Sequence, residues 1–170
     1  MRKVIAAINT TLDGICDHTA GLPDAEIHRH YQELLSEGEV ILYGRITYQL
    51  MEFWQTVLEH PSEEKSMNDF ALAIDNIQKI VFSNTLTNVA WSSAKLAEKD
   101  LEKTITELKQ QSGKDIFVGS RSLIVQLLKL NLIDELQLCV HPLIAGKGLP
   151  LFENISDTII FKLKKTKVFS

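Results

Sequence analysis

Cysteine is scarce in this chain of 170 residues: Cys16 and Cys139 stand far apart and outside any metal-ligand spacing. That usage fits free thiols in a reducing cytoplasm rather than a disulfide framework. No apolar run approaches the ~20 residues needed to span a bilayer. The opening Met-Arg-Lys-Val-Ile-Ala-Ala-Ile begins like a signal peptide, but Asn9, Thr10, Thr11 and Asp13 break it at once. An excess of positive charge is also missing. With 18 basic against 22 acidic residues and a net charge of −4, a nucleic-acid-binding face is disfavoured. Neither Gly-x-x-x-x-Gly-Lys-Ser/Thr nor Gly-x-Gly-x-x-Gly occurs, which argues against a P-loop nucleotidase and an ordinary Rossmann dehydrogenase. No His, Cys, Asp or Glu cluster suggests a metal, and no serine or cysteine triad is apparent. Repeats, low-complexity tracts and linkers are absent, so a single domain over 1–170 is expected, with 45% hydrophobic content to fill one core.

What is present is organised around Glu39 to Tyr48. Val40, Ile41, Leu42 and Tyr43 form a strand-like apolar run that stops at Gly44, and Arg45 and Thr47 follow. A glycine at a strand end admits close approach, a new helix offers unpaired N–H groups, and arginine adds a fork suited to phosphate. The same design recurs 75 residues on, where Ile116-Phe-Val stops at Gly119 and Ser120 or Ser122 is placed to cap a helix bearing Leu123, Leu127, Leu128 and Leu130.

Along the rest of the chain, 3–8 reads as an interior strand and 10–21 as a polar loop. A helix over 24–37 ends at Gly38. After the strand at 40–43, a short helix is expected over 47–53, a loop over 54–61 and a helix over 62–77. A second buried strand from Lys79 ends in Ser83, Asn84 and Thr85, with a short strand expected at 89–91. An amphipathic helix over 100–111 precedes the strand before Gly119. Strand 135–140, a glycine-rich loop over 142–150 and an alternating segment over 159–163 complete the pattern. The expectation is an α/β fold: a mixed, mostly parallel sheet flanked by helices on both faces, with the last strands antiparallel at an edge. In such a sheet the strand ends at Gly44, Ser83 and Gly119 can line one crevice.

Taken in order, these motifs resemble a known family. Leu-Asp-Gly follows strand one, Gly-Arg-x-Thr-Tyr strand two and Phe-Ser-Asn-Thr-Leu strand three. Val-Gly-Ser-x-Ser-Leu precedes a leucine-rich helix, and Leu-Ile-Asp-Glu-Leu and Pro-Leu-Ile-Ala-Gly-Lys-Gly-Leu-Pro-Leu-Phe come last. The set is similar to the dihydrofolate reductase superfamily, and closest to the reductase domain of bacterial riboflavin-biosynthesis deaminase-reductases. The resemblance covers Lys3 to Phe169.

The resemblance implies an NADPH-dependent reductase acting on a small pterin-like or ribityl-aminopyrimidine-like molecule. True dihydrofolate reduction and a catalytically silent NADP-binding module are the alternatives. It implies that Gly44, Arg45 and Thr47 meet the 2′-phosphate and pyrophosphate region, and that Ser83 and Asn84 lie near the adenosine end. Gly119, Ser120, Arg121, Ser122 and Leu123 would sit under the pyrophosphate. It also implies a mobile loop over Thr10 to Gly21 and a homodimer. Glu26 is the candidate acid on the first helix, out of register with the usual carboxylate, and Asp24 is the reserve or else a helix N-terminal charge that favours the dipole. Asp13 either touches substrate or is a turn residue before Gly14. His28 and His30 point to opposite sides of their helix, Glu26 and His30 are spaced to meet, and His141 is expected to be structural. Tyr48, Phe53 and Trp54 form an aromatic group for the core or for a heterocycle to stack on.

Overall fold

A computed structural model describes residues 1–169. The elements run β1 (Val4–Thr11), α1 (Ala25–Ser36), β2 (Gly38–Gly44), α2 (Arg45–Met51), α3 (Phe53–Glu59), α4 (Lys65–Asn76), β3 (Gln78–Phe82), β4 (Ala94–Leu96), α5 (Leu101–Gln110), β5 (Asp115–Val118), α6 (Arg121–Lys129) and β6 (Glu135–His141). One six-stranded sheet has the order β4-β3-β2-β5-β1-β6. Every strand pair in it is parallel.

The two-residue period of the strands divides the core. Val4, Ala6, Val40, Leu42, Ile116 and Val118 face one side, against Leu101 and Ile105 of α5 and Leu123, Ile124 and Leu127 of α6. Their neighbours Ile5, Ile41, Tyr43 and Phe117 face the other side, against Leu34 and Leu35 of α1 and Phe70 and Ile74 of α4. Strands covered on both faces are apolar throughout, which is how β1, β2 and β5 read in the sequence. Helix starts are capped as polar residues dictate. The Asp24 carboxylate accepts from the Glu26 and Ile27 N–H groups at 2.9 Å each, and Asp100 accepts from Lys103 N–H at 2.8 Å.

Four expectations are corrected. Residues 54–59, expected as loop, belong to helix α3. Trp54 and Val57 of α3 turn toward the core, and the Trp54 ring meets Phe70 of α4 edge-on at 4.6 Å. That tertiary contact overrides the weak helix propensity of aromatic and β-branched residues. No strand forms at 89–91, where Trp91 is instead a buried plug 1% exposed; the short strand there is β4. The strand at 159–163 is not formed either. Ile159 packs on the core, whereas Ile160, Phe161 and Leu163 are exposed and no ladder includes them. The expected antiparallel edge is therefore replaced by β6, parallel to β1 from Ile5↔Glu135 to Thr11↔His141.

Candidate cofactor and substrate cleft

The sheet register brings the sequence's two glycine turns together. Gly44 is level with Phe82 of β3, and Leu42 is level with Val118 of β5, so Ser83, Gly44 and Gly119 end neighbouring strands on one side of the molecule. Gly44 N–H donates to Ser120 Oγ at 2.8 Å. A Cβ on Gly44 would lie 3.2 Å from Ser122 Oγ, and one on Gly119 would lie 3.0 Å from the Tyr43 ring. Close packing of β2 on β5 is what these glycines permit. Neither has a left-handed backbone.

Ser120 stands at the N-cap position of α6, yet its side chain makes no cap hydrogen bond there. Its hydroxyl is used by Gly44. The first amide closed inside the helix is Ile124 N–H, to Ser120 C=O at 2.9 Å, so the preceding N–H groups remain at the helix start for an anion. Across the gap, Arg45 is exposed at the start of α2, and one of its guanidinium nitrogens donates to Gln49 at 3.2 Å. Thr47 is half-buried beside it. Ser83 Oγ accepts from Thr85 N–H at 3.1 Å and Leu86 N–H at 2.9 Å, closing the turn that displays exposed Asn84. Leu123 is buried in the core, so at the cleft it can offer only backbone.

Arg121 is the first residue of α6, and its side chain turns to the segment after β6. Its Nε donates to Pro150 C=O at 2.9 Å, and its guanidinium pairs with Glu153 at 2.7 Å. The arginine anchors the segment after β6 to the start of α6.

Asp13 is likewise engaged. Its carboxylate accepts from Thr11 Oγ at 2.5 Å, Ala145 N–H at 3.1 Å and Gly146 N–H at 2.7 Å. The Thr11 hydroxyl first, then the two loop amides, hold its pKa down at about 2. A carboxylate so stabilised does not carry a proton at neutral pH. Asp17 accepts from Leu149 N–H at 2.6 Å, Cys16 N–H donates to Leu149 C=O at 2.9 Å, and Ile15 bridges Pro150. Residues 12–17 of the loop expected to be mobile are thus zipped to 143–151. Beyond them, Leu22 N–H donates to Nδ1 of His141, which is 3% exposed and lies at the end of β6. Burial lowers the His141 pKa, opposed by Asp24. Its Nε2 is buried without a hydrogen-bond partner among the described residues, and a Cβ on Gly21 would sit 2.9 Å from it.

Glu26 occupies the first turn of α1, half-buried, while Asp24 is exposed and caps the helix through its Oδ1 alone. His30 meets Phe169 at 5.3 Å and Tyr31 at 5.4 Å between ring centroids. His28 joins the aromatic group instead, 5.7 Å from Trp54 and 6.0 Å from Phe70. Phe53 and Trp54 line a cavity with it, whereas Tyr48 is buried and its hydroxyl accepts from Trp91 N–H at 3.3 Å. That cavity lacked a sequence signal beyond the aromatic run, because Glu63, Glu64 and Met67 enter it from a different helix start. A smaller depression near Leu35, Glu39 and Asp69 lies at the opposite, amino end of β2.

Both thiols are free, and burial pushes both up. Among the described residues no group of His, Cys, Asp and Glu could hold a metal, and no helix is long and apolar enough to cross a membrane.

Known proteins share this architecture. A Shewanella sp. PV-4 protein, described as a candidate riboflavin biosynthesis protein, superposes with a TM-score of 0.69 over 98% of this chain and 92% of its own, at 22% identity. That likeness concerns the fold. Two uncharacterized Bacillus subtilis (strain 168) proteins are similar in sequence. YyaP is 31% identical over 173 residues, covering 99% of this chain and 90% of its own length. YwjB is 25% identical over 177 residues, covering 99% and 92%. The RibD C-terminal domain model matches residues 2–170, so the chain belongs to the RibD C-terminal domain family, with its dihydrofolate reductase-like α/β fold.

Proposed function

We propose that this protein is an NADPH-dependent reductase that delivers hydride to a C=N or C=O bond of a small heterocyclic molecule. The observation that carries the reading is the Gly44 to Ser120 bond at 2.8 Å, which sets the two strand-to-helix turns side by side. The amides at the start of α6 suit the pyrophosphate, and exposed Arg45 suits a 2′-phosphate. Ser83 and Asn84 border the adenosine end. Bound nicotinamide supplies the hydride; the chain binds, orients and excludes water. Glu26, half-buried in the first turn of α1, is the residue we assign to hold the proton or a water that delivers it. Asp13 is not assigned that role, because its carboxylate already ties down the loop after β6.

The test is to titrate the purified protein with NADPH and with NADH and follow thermal stability, since a ligand that binds only the folded state must raise it. A clear preference for NADPH supports the reading, and a screen of pterins, flavin precursors and small carbonyls then seeks turnover. No shift with either overturns it. The alternative, an NADP-binding module without turnover, is favoured by the engagement of both Asp13 and Arg121 in loop contacts. It predicts NADPH binding with no oxidation by any of these substrates. A homodimer is part of the proposal and is read by light scattering.

A further inference from the structure

Asparagine is a poor strand former, yet Asn9 stands inside β1, directly after the apolar run from Val4 to Ile8. β1 is paired with β5 only as far as Ala6↔Val118, so Asn9 lies three residues, about 10 Å, beyond the last β5 partner. On its other side β1 continues against β6, with Asn9 level with Cys139. The chain leaves β1 through α1 on one face of the sheet and leaves β5 through α6 on the other. Neighbouring strands whose connections part to opposite faces open a crevice at their carboxyl ends, and Asn9 stands on its β1 wall.

The side chain is held at one end. The Tyr31 hydroxyl of α1 lies 3.0 Å from Asn9 Oδ1. Burial, and after it Cys139, raises the Tyr31 pKa, so at neutral pH the hydroxyl keeps its proton and donates it to Oδ1. An amide whose oxygen is engaged in this way presents its two N–H donors to whatever comes next. No hydrogen bond among the described residues uses Asn9 Nδ2, and that nitrogen is not sealed off from solvent. A neutral, oriented pair of donors matches a carbonyl oxygen. The charged part of a dinucleotide is left to the start of α6 and to Arg45.

We propose that Asn9, oriented by Tyr31, donates through Nδ2 to the carboxamide oxygen of the nicotinamide ring and so fixes which way that ring lies in the crevice. Tyr31 is the positioning residue of the pair. The proposal rests on the reductase reading and adds to it the side chain that recognises the reactive end of the cofactor, apart from the turns that hold its phosphates.

The probes are NADPH and 2′-phospho-ADP-ribose, which keeps the phosphates and lacks the nicotinamide. Each is titrated calorimetrically into the full chain and into its Asn9→Asp and Tyr31→Phe variants, with thermal melting as the check that each variant folds. Asn9→Asp keeps the shape and the acceptor for the Tyr31 hydroxyl but replaces the donors by a second acceptor. It should weaken NADPH on the order of ten-fold and leave 2′-phospho-ADP-ribose within about two-fold. Tyr31→Phe frees the amide to turn, and should weaken NADPH less while again sparing 2′-phospho-ADP-ribose. Were the pair only structural, both ligands would suffer alike. Equal loss of both, or an unchanged NADPH affinity in Asn9→Asp, would overturn the proposal and leave the reductase reading in place. Binding of neither ligand to the unaltered protein would overturn both. Should Asn9→Asp fail to fold, Asn9→Ala takes its place with the same expectation.

Discussion

Gly44 and Ser120, 76 positions apart in sequence, are joined by a buried hydrogen bond of 2.8 Å that ties the end of β2 to the end of β5. Gly44 is buried and Ser120 is 1% exposed, so water does not replace the hydroxyl if it is lost. Ser120→Ala should lower stability by about 1–3 kcal/mol, the cost of a buried donor left unpaired. Chemical denaturation measures that loss, and an NADPH titration should show weaker binding alongside it. An unchanged midpoint would mean that the Gly44 N–H has found another acceptor.

Arg45 is exposed at the first position of α2 and holds only its own helix partner Gln49 at 3.2 Å among the bonds described. If it reads the phosphate that separates NADPH from NADH, Arg45→Ala should weaken NADPH on the order of ten-fold and leave NADH nearly unaffected. Equal weakening of both would remove the assignment.

Acid should loosen the loops around the cleft in two stages. His141 has a lowered folded pKa, so below roughly 6.5, the ordinary histidine value, the unfolded chain takes up the proton first. Stability is then lost as pH falls through the folded pKa of His141. Protonating Nδ1 also removes the acceptor of Leu22 N–H. Asp13 follows, since its folded pKa of about 2 lies below the ordinary carboxylate value. Its contribution is fully present above roughly pH 4 and is lost between there and about pH 2. Hydrogen exchange should show Leu22 opening before Ala145 and Gly146. In Asp13→Asn the second stage should disappear.

Lys79 is a buried cation whose Nζ donates to Ile77 C=O at 2.9 Å, Asp75 C=O at 3.3 Å and Ser93 Oγ at 2.6 Å, 4.1 Å from the centre of the Trp91 ring. Burial pulls its pKa down to about 8. Between about pH 8 and roughly 10.5 the unfolded chain therefore binds more protons at this group, and its contribution to stability rises with pH. Half-buried Tyr31 and buried Tyr43 act oppositely. Their pKa values are raised by burial, so above roughly pH 10 the unfolded chain ionises first and stability falls. Denaturation across this range, compared with Lys79→Met, should show the rising component only in the unaltered protein. Parallel profiles would mean that Lys79 is not titrating in the folded state.

Much of the fold was legible because it is written locally. Alternation in β2 and β5 assigns neighbouring residues to opposite faces, Gly44 and Gly119 end their strands, and Asp24 and Asp100 cap the helices that follow them. The misread stretches are those where a distant partner decides. Residues 54–59 are helical with Trp54 against Phe70, and Trp91 leaves no strand because its ring fills the core and its indole N–H donates to Asp75 at 2.6 Å. At the cleft, the residue types and their order marked the two glycine turns, but not which charges were available there.

The sequence by itself determined five of the six strands, most of the helices and the two places where a strand gives way to a helix start. Periodicity and capping act over a few residues and need no distant partner. Only the tertiary structure decided what the polar groups do. Asp13 lies 132 and 133 positions from the amides it binds, and Arg121 lies 29 and 32 positions from its acceptors. A carboxylate or guanidinium takes its role from what stands within about 3 Å of it, and bonds at that distance form only once the sheet has assembled.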